Sequence, residues 1–169
     1  MLFDFLERIA AVVALEKDIR TVYFHNFSRF DGILLLKYYA NREEYTFKPL
    51  LRNNRLYEIA VYRGKKLLFR LRDSYTLLPS SLDTLAKTLC PQLGSKGSIP
   101  YEEVRVSNLK NLSAQLLDYM KQDIRLLGGV MLKAQEIYWK KYSVDIVNSL
   151  TLSSLAMTIF RKCYYDPNS

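Results

Sequence analysis

The sequence predicts a mixed α/β domain. Three observations carry that reading. Short runs rich in aromatic and branched residues alternate with stretches of helical apolar periodicity. Three of those short runs are consecutive and separated by the turn signals Asn53-Asn54 and Arg63-Gly64, the pattern of a small antiparallel meander. The remainder, after Pro91, is dominated by long helical patterns.

Taken in order, residues 2–18 place Phe3, Leu6, Ile9, Ala10, Val13 and Ala14 on one stripe, which predicts a core-facing amphipathic helix. Lys and Arg are not gathered on its polar face, as a membrane-surface helix would require. Thr21 to His25 reads as a short strand. Gly32 to Tyr39 reads as a helix, with Asp31 where it begins. Strands are expected over 45–51, 56–62 and 66–72. Leu78-Pro79-Ser80-Ser81 then stops the last strand and offers Ser80 or Ser81 as the N-cap of a helix over 82–89, which Pro91 ends. Residues 91–101 hold Pro, Gly and Ser and read as a loop. A long helix is expected from about Asn108 to about Tyr142, with Gly128-Gly129 as a candidate break, and a last one over 153–163.

The chain of 169 residues suits one domain with a real core, and 49% of it is apolar. No apolar run approaches the roughly 20 residues that cross a membrane. There are 25 basic against 17 acidic residues, a net charge of +8, which points to a polyanionic partner without separating DNA from RNA or anionic lipid. Two isolated cysteines, Cys90 and Cys163, give neither a disulfide framework nor a zinc site. His25, the single histidine, leaves little room for His-based catalysis and is read as structural. Asp4, Glu7 and the lack of a basic leading segment argue against a signal peptide or a cleaved organellar transit peptide.

Two short motifs stand out. Asn26-Phe27-Ser28-Arg29-Phe30-Asp31 follows the apolar run Val22-Tyr23-Phe24, and Tyr119-Met120-Lys121-Gln122-Asp123 lies inside the long helical pattern. Each sets an Asp at a structural element. The bland reading makes Asp31 a helix cap and the Tyr119/Asp123 pair a solvated face. The chemical reading is phosphodiester hydrolysis, which gathers carboxylates from rigid elements around divalent ions. Tyr119 and Asp123, four apart, share one helix face, so a hydroxyl that orients water can stand beside a metal carboxylate.

The segment Tyr23 to Gly32 resembles the second exonuclease motif of protein-primed, family B DNA polymerases, encoded by phages and by linear plasmids of fungal and plant mitochondria. Asp73 to Leu82 resembles the strand and helix entry that follow in that family. Lys96-Gly97-Ser98-Ile99 resembles its Lys-x-x-hydrophobic motif, and Tyr119 to Asp123 its third exonuclease motif. Leu150 to Ala156, with Ile159-Phe160-Arg161, looks like the start of the helical link toward the polymerase palm.

The resemblance implies a partial ribonuclease H-like exonuclease domain over 1–145 and the start of a linker over 146–169. It implies Asp31 and Asp123 as metal carboxylates for Mg²⁺ or Mn²⁺, Tyr119 as the residue that positions water and Lys96 on the scissile phosphate. Asn26 would bind the single-stranded 3′ end of DNA. From their places beside the strand, Asn26 could instead hydrogen-bond the loop, and Phe30 would pack beneath Asp31 and fix it or help bind the terminal bases. It further implies a terminal protein primer as partner, no membrane, and mitochondrial location.

The family's first motif, Asp-x-Glu on a leading strand, has no match upstream of Asn26, where the only acids are Asp4, Glu7, Glu16 and Asp18. No Tyr-x-Asp-Thr-Asp polymerase pair occurs either. The expectation is therefore a polymerase fragment that covers the proofreading region and is not active alone. The alternative is a non-catalytic module that binds single-stranded DNA.

Overall fold

The computed structural model describes residues 2–16, 18–39, 44–97, 104–105 and 107–165. The expected loop positions 98–101 lie outside them. The chain divides into two compact units, one of residues 1–77 and 147–157, the other of 78–146 and 158–169.

The first unit is built on a mixed four-stranded sheet. Its elements are α1 (Leu2–Leu15), β1 (Thr21–Phe24), α2 (Asp31–Tyr39), β2 (Thr46–Arg52), β3 (Arg55–Arg63) and β4 (Lys66–Asp73). The spatial order is β1-β4-β3-β2. The last three strands form the expected antiparallel meander. The β2–β3 turn works because Asn53 and Asn54 both take positive φ, 50° and 56°. In the second hairpin the turn falls on Gly64-Lys65, one residue later than Arg63-Gly64, because Gly64 is the residue that takes φ 58°. β1 joins β4 in parallel, with Phe24 opposite Asp73.

α1 ends at Leu15 rather than at 18. Leu15 is already 82% exposed, and Glu16 adds nothing apolar to the stripe, so a further turn would bury nothing. Leu6 and Val13 from α1 and Leu35 and Tyr39 from α2 meet Ile59, Val61, Phe69 and Leu71 of the sheet in one core. The segment that begins at Val147 is tied to the end of β4: Arg72 Nη1 donates to the Val147 carbonyl at 2.6 Å, and Thr76 Oγ1 donates to the Leu150 carbonyl at 2.5 Å.

The second unit is helical. α3 (Leu82–Leu89) starts where Ser81 Oγ accepts from the Thr84 amide at 3.1 Å, so Ser81 rather than Ser80 is the cap. A short 3₁₀ turn, Pro91–Leu93, follows. α4 (Leu109–Tyr142) is one continuous helix of 34 residues. Leu82, Ala86 and Cys90 pack against Leu126 and Val130. The expected break at Gly128-Gly129 does not occur, and close approach explains one of those glycines: a Cβ on Gly129 would stand 2.3 Å from Leu93 Cδ1 and 3.4 Å from Cys90 Sγ. α4 ends at Ser143, which takes a left-handed φ of 52°. α5 (Leu152–Cys163) is divided, with residues 152–157 in the first unit and 158–163 in the second. Cys90 is buried, Cys163 is exposed, and both are free thiols. Among the described residues no helix is long and apolar enough to cross a membrane.

Candidate functional site

In the first unit the Asn26–Asp31 motif is a turn held by a buried acid. The chain leaves β1 and turns at Asn26 with φ 65°, a left-handed conformation that Asn tolerates better than most residues. Two backbone amides then face the end of β4, where Asp73 is 1% exposed. Asn26 N donates to Asp73 Oδ1 at 2.9 Å, and Ser28 N donates to Oδ2 at 3.1 Å. Tyr75 N donates to Oδ1 at 3.0 Å. Three backbone donors thus balance a carboxylate that would otherwise be costly to bury.

Phe27 is fully buried and stacks on Phe24 at 4.7 Å between ring centroids. Gly32 N donates to the Phe27 carbonyl at 3.0 Å, closing the turn into α2. This places Asp31 at the first position of the helix, where the helix dipole favours an anion. Burial and, further, the negative charge of Asp73 push the Asp31 carboxyl above its ordinary pKa. Phe30 is 63% exposed, an apolar ring presented to solvent beside Asp31.

The Ser74 hydroxyl donates to the Phe24 carbonyl at 2.9 Å and lies 3.0 Å from His25 Nδ1. Because its single proton is spent on Phe24, His25 Nδ1 carries the hydrogen and donates to Ser74. His25 thus has the structural hydrogen bond expected of it. Its ring also meets Tyr75 edge-on at 5.7 Å.

In the second unit Lys96, Tyr119 and Asp123 come together. Tyr119 and Asp123 lie one turn apart on α4, and Lys96 lies on the segment after the 3₁₀ turn. Lys96 Nζ is 3.3 Å from Asp123 Oδ2 and 5.6 Å from the Tyr119 ring centroid. Burial alone would lower the Lys96 ammonium, but the Tyr119 hydroxyl and the Asp123 charge outweigh it and hold the group above its ordinary pKa.

The segment that carries Lys96 is tethered to α4. Gln122 Nε2 donates to the Leu93 carbonyl at 2.9 Å and to the Ser95 carbonyl at 3.4 Å. Gly97 lies against the Tyr119 ring, where a Cβ would stand 3.2 Å from Cδ2. Asp73 and Gln122 are the two supporting residues that the motifs did not reveal. Asp73 lies in the stretch of family resemblance and Gln122 inside the Tyr119–Asp123 motif, but nothing local marks either as an anchor.

One oxygen of the second cluster is spare. Asp123 Oδ1 is buried and accepts no hydrogen bond among the described residues, as suits a carboxylate that also serves a cation. The described residues contain no group of three or more His, Cys, Asp or Glu side chains able to hold a metal ion. Asp123 therefore fits a metal ligand, but the described residues do not by themselves make a full coordination set.

In fold the chain is an α/β domain of DNA-polymerase type. It superposes on phi29 DNA polymerase complexed with single-stranded DNA with a TM-score of 0.67 at 23% identity, over 95% of this chain and 28% of that one. For the ternary complex of phi29 DNA polymerase with primer-template DNA and incoming nucleotide substrates the TM-score is 0.68 at 21% identity, over 95% and 27% of the two chains. The chain belongs to the family of type B DNA polymerases, organellar and viral, whose model matches residues 13–113 and 106–169.

Among relatives, a probable DNA polymerase of Agaricus bitorquis is 28% identical over 86% of this chain, and one of Podospora anserina is 26% identical over 76%. The chain spans only 22% and 14% of those proteins. The family is one of DNA-directed DNA polymerases, enzymes of DNA replication that bind DNA and in general use divalent metals.

Proposed function

We propose that this chain is the 3′–5′ proofreading portion of a protein-primed type B DNA polymerase, and that it holds the single-stranded 3′ end of DNA for excision. The observation that carries the proposal is the Lys96–Tyr119–Asp123 cluster: an ammonium, a hydroxyl and a half-satisfied carboxylate on one helix face and its tethered segment. Residues 1–145 would form the excision domain and 146–169 the start of the link to a polymerase domain.

Asp31 and Asp123 would each offer a carboxylate to Mg²⁺ or Mn²⁺. The ions, when bound, supply a hydroxide nucleophile and neutralise the leaving oxygen. The other steps belong to side chains of this chain. Tyr119 would orient the attacking water. Lys96 would place its positive charge on the scissile phosphate, where preorganised charge lowers the barrier. Asn26, fixed by Asp73, would hydrogen-bond the terminal nucleotides, and the exposed Phe30 ring would stack on a base. A set short of the family's Asp-x-Glu pair would excise weakly or not at all on its own. The fungal relatives and the organellar family support a mitochondrial, plasmid-borne origin, and with it a terminal protein as primer.

The test is made in a type B polymerase that carries this segment. Asp31→Ala or Asp123→Ala should remove 3′ excision and leave primer extension intact, and Lys96→Ala should slow excision less severely. Excision at the wild-type rate in both Asp variants would overturn the assignment.

A further inference from the structure

Five arginines lie on strands β2 to β4. Three of them are ion-paired: Arg63 meets Glu7 at 3.1 Å and Glu44 at 3.3 Å, while Arg70 and Arg72 share Glu58 at 3.2 and 2.7 Å. The other two, Arg52 and Arg55, are paired directly opposite each other across the β2–β3 turn, and among the described residues neither has an ion-pair partner. Like charges in facing positions work against the hairpin they sit on.

A second, independent feature lies at the same place. The guanidinium of Arg55 is flanked by two aromatic rings, Tyr57 at 5.8 Å and Tyr75 at 6.0 Å, and its Nε–H is buried without a hydrogen-bond partner. Tyr57 is the residue left over where the β2–β3 pairing shifts register, and its ring is set beside Arg55 there. Leu56, between them, packs against Gly32 next to Asp31, so the cations and rings stand on the same compact unit as the Asn26–Asp31 turn.

From the arginine pair that no described carboxylate meets and the rings beside it, we infer that Arg52, Arg55 and Tyr57 form a binding track for single-stranded DNA. The two guanidinium groups take consecutive backbone phosphates, and the Tyr57 ring takes a base. A ligand with a phosphate for each cation and a π-face for the ring matches both halves of the feature. A duplex keeps its bases stacked, and an acidic peptide has nothing for the ring. The inference rests on the reading of this chain as a domain that holds a single-stranded end, and it adds a contact surface that the motifs do not include.

The experiment is fluorescence anisotropy of the chain with labelled oligothymidylate of about a dozen nucleotides, titrated over a range of salt. Arg52→Gln and Arg55→Gln should each lower the slope of log K against log salt by about 0.7, and the double variant by about twice that. Tyr57→Leu should weaken binding roughly five-fold or more while leaving the slope alone. Arg52→Gln should also raise the melting temperature, because the repulsion at the turn is gone, so lost binding cannot be lost folding.

An unchanged slope in the double variant, with binding still weakened by Lys96→Ala, would overturn this inference and leave the proposed function standing. Equal affinity for a duplex of the same length would overturn it too, by showing a general polyanion surface; so would full displacement by polyglutamate, by showing a site for acidic protein. Absence of oligothymidylate binding by the unmodified chain would overturn both readings.

Discussion

Replacing Asp73 by alanine removes the one acceptor shared by the amides of Asn26, Ser28 and Tyr75. The site is 1% exposed, so water does not replace the carboxylate without the turn opening. Hydrogen bonds to a charged partner contribute roughly 1.5–3 kcal/mol each, and partial rehydration of the half-buried turn recovers some of that, leaving a loss of about 4 kcal/mol. Against a total stability of roughly 5–15 kcal/mol, that is a large fraction. With a urea dependence of about 2 kcal/mol per molar, the midpoint of the first unit should fall by about 2 M.

Asp73→Asn keeps one acceptor oxygen but turns an amide NH₂ toward a backbone donor, and should lose about half as much. Unfolding is best followed by hydrogen exchange at the Asn26, Ser28 and Tyr75 amides, since the single tryptophan, Trp139, belongs to the second unit and reports only there. The same substitution removes one of the two influences that raise Asp31, whose carboxyl should titrate closer to its ordinary range. A midpoint shift below about 0.5 M, with protection of those amides unchanged, would refute this account of the turn.

Three further outcomes are expected. Gly32→Ala should destabilise by about 1–3 kcal/mol, although Gly→Ala in a helix ordinarily stabilises: the new Cβ would meet the Phe27 carbonyl oxygen at 3.0 Å, and a backbone atom does not step aside. A rise in melting temperature would contradict it. Asp31→Asn should stabilise the chain at neutral pH, because a carboxyl whose pKa is raised by folding opposes the fold when ionised; the advantage should fade as pH falls through that raised pKa, where the native acid is protonated. Melting curves of both proteins across the acid range check the sign. Gln122→Ala should cost about 1 kcal/mol and speed amide exchange over residues 95–97, since two carbonyls lose their donor; unchanged exchange would show that Lys96 is held by other contacts.

What could be read from the sequence was local. Asn53-Asn54 announced a hairpin because positive φ is a property of the residue, and Ser81 announced α3 because its hydroxyl reaches only three residues on. Asp31 at the head of α2 was legible for the same reason. The parallel pairing of β1 with β4 was not, because its partners are 49 residues apart and no turn specifies them. Asp73 escaped notice for the same cause: its bonds to Asn26 and Ser28 span 47 and 45 residues, and nothing around it in sequence separates a buried anchor from a strand-end acid. Gly128-Gly129 misled because a glycine pair reads alike whether it breaks a helix or lets a neighbouring turn approach it. Tyr119 and Asp123 were joined by helical spacing, whereas Lys96 entered only through family resemblance; a loop residue has no periodicity to betray it.

The two margins of the sheet should behave differently in a concentrated solution. β2 is protected: Lys48 and Pro49 lie on it, and its pairing is irregular at Leu50/Leu51. β1, at the opposite margin, reads Thr-Val-Tyr-Phe, with neither a charge nor a proline. Where two molecules of this chain meet at high concentration, β1 is the unguarded margin, and its length of only four residues is what limits its pairing with a second copy. Handling this chain would then call for low concentration, or for a lysine placed on β1 as a gatekeeper.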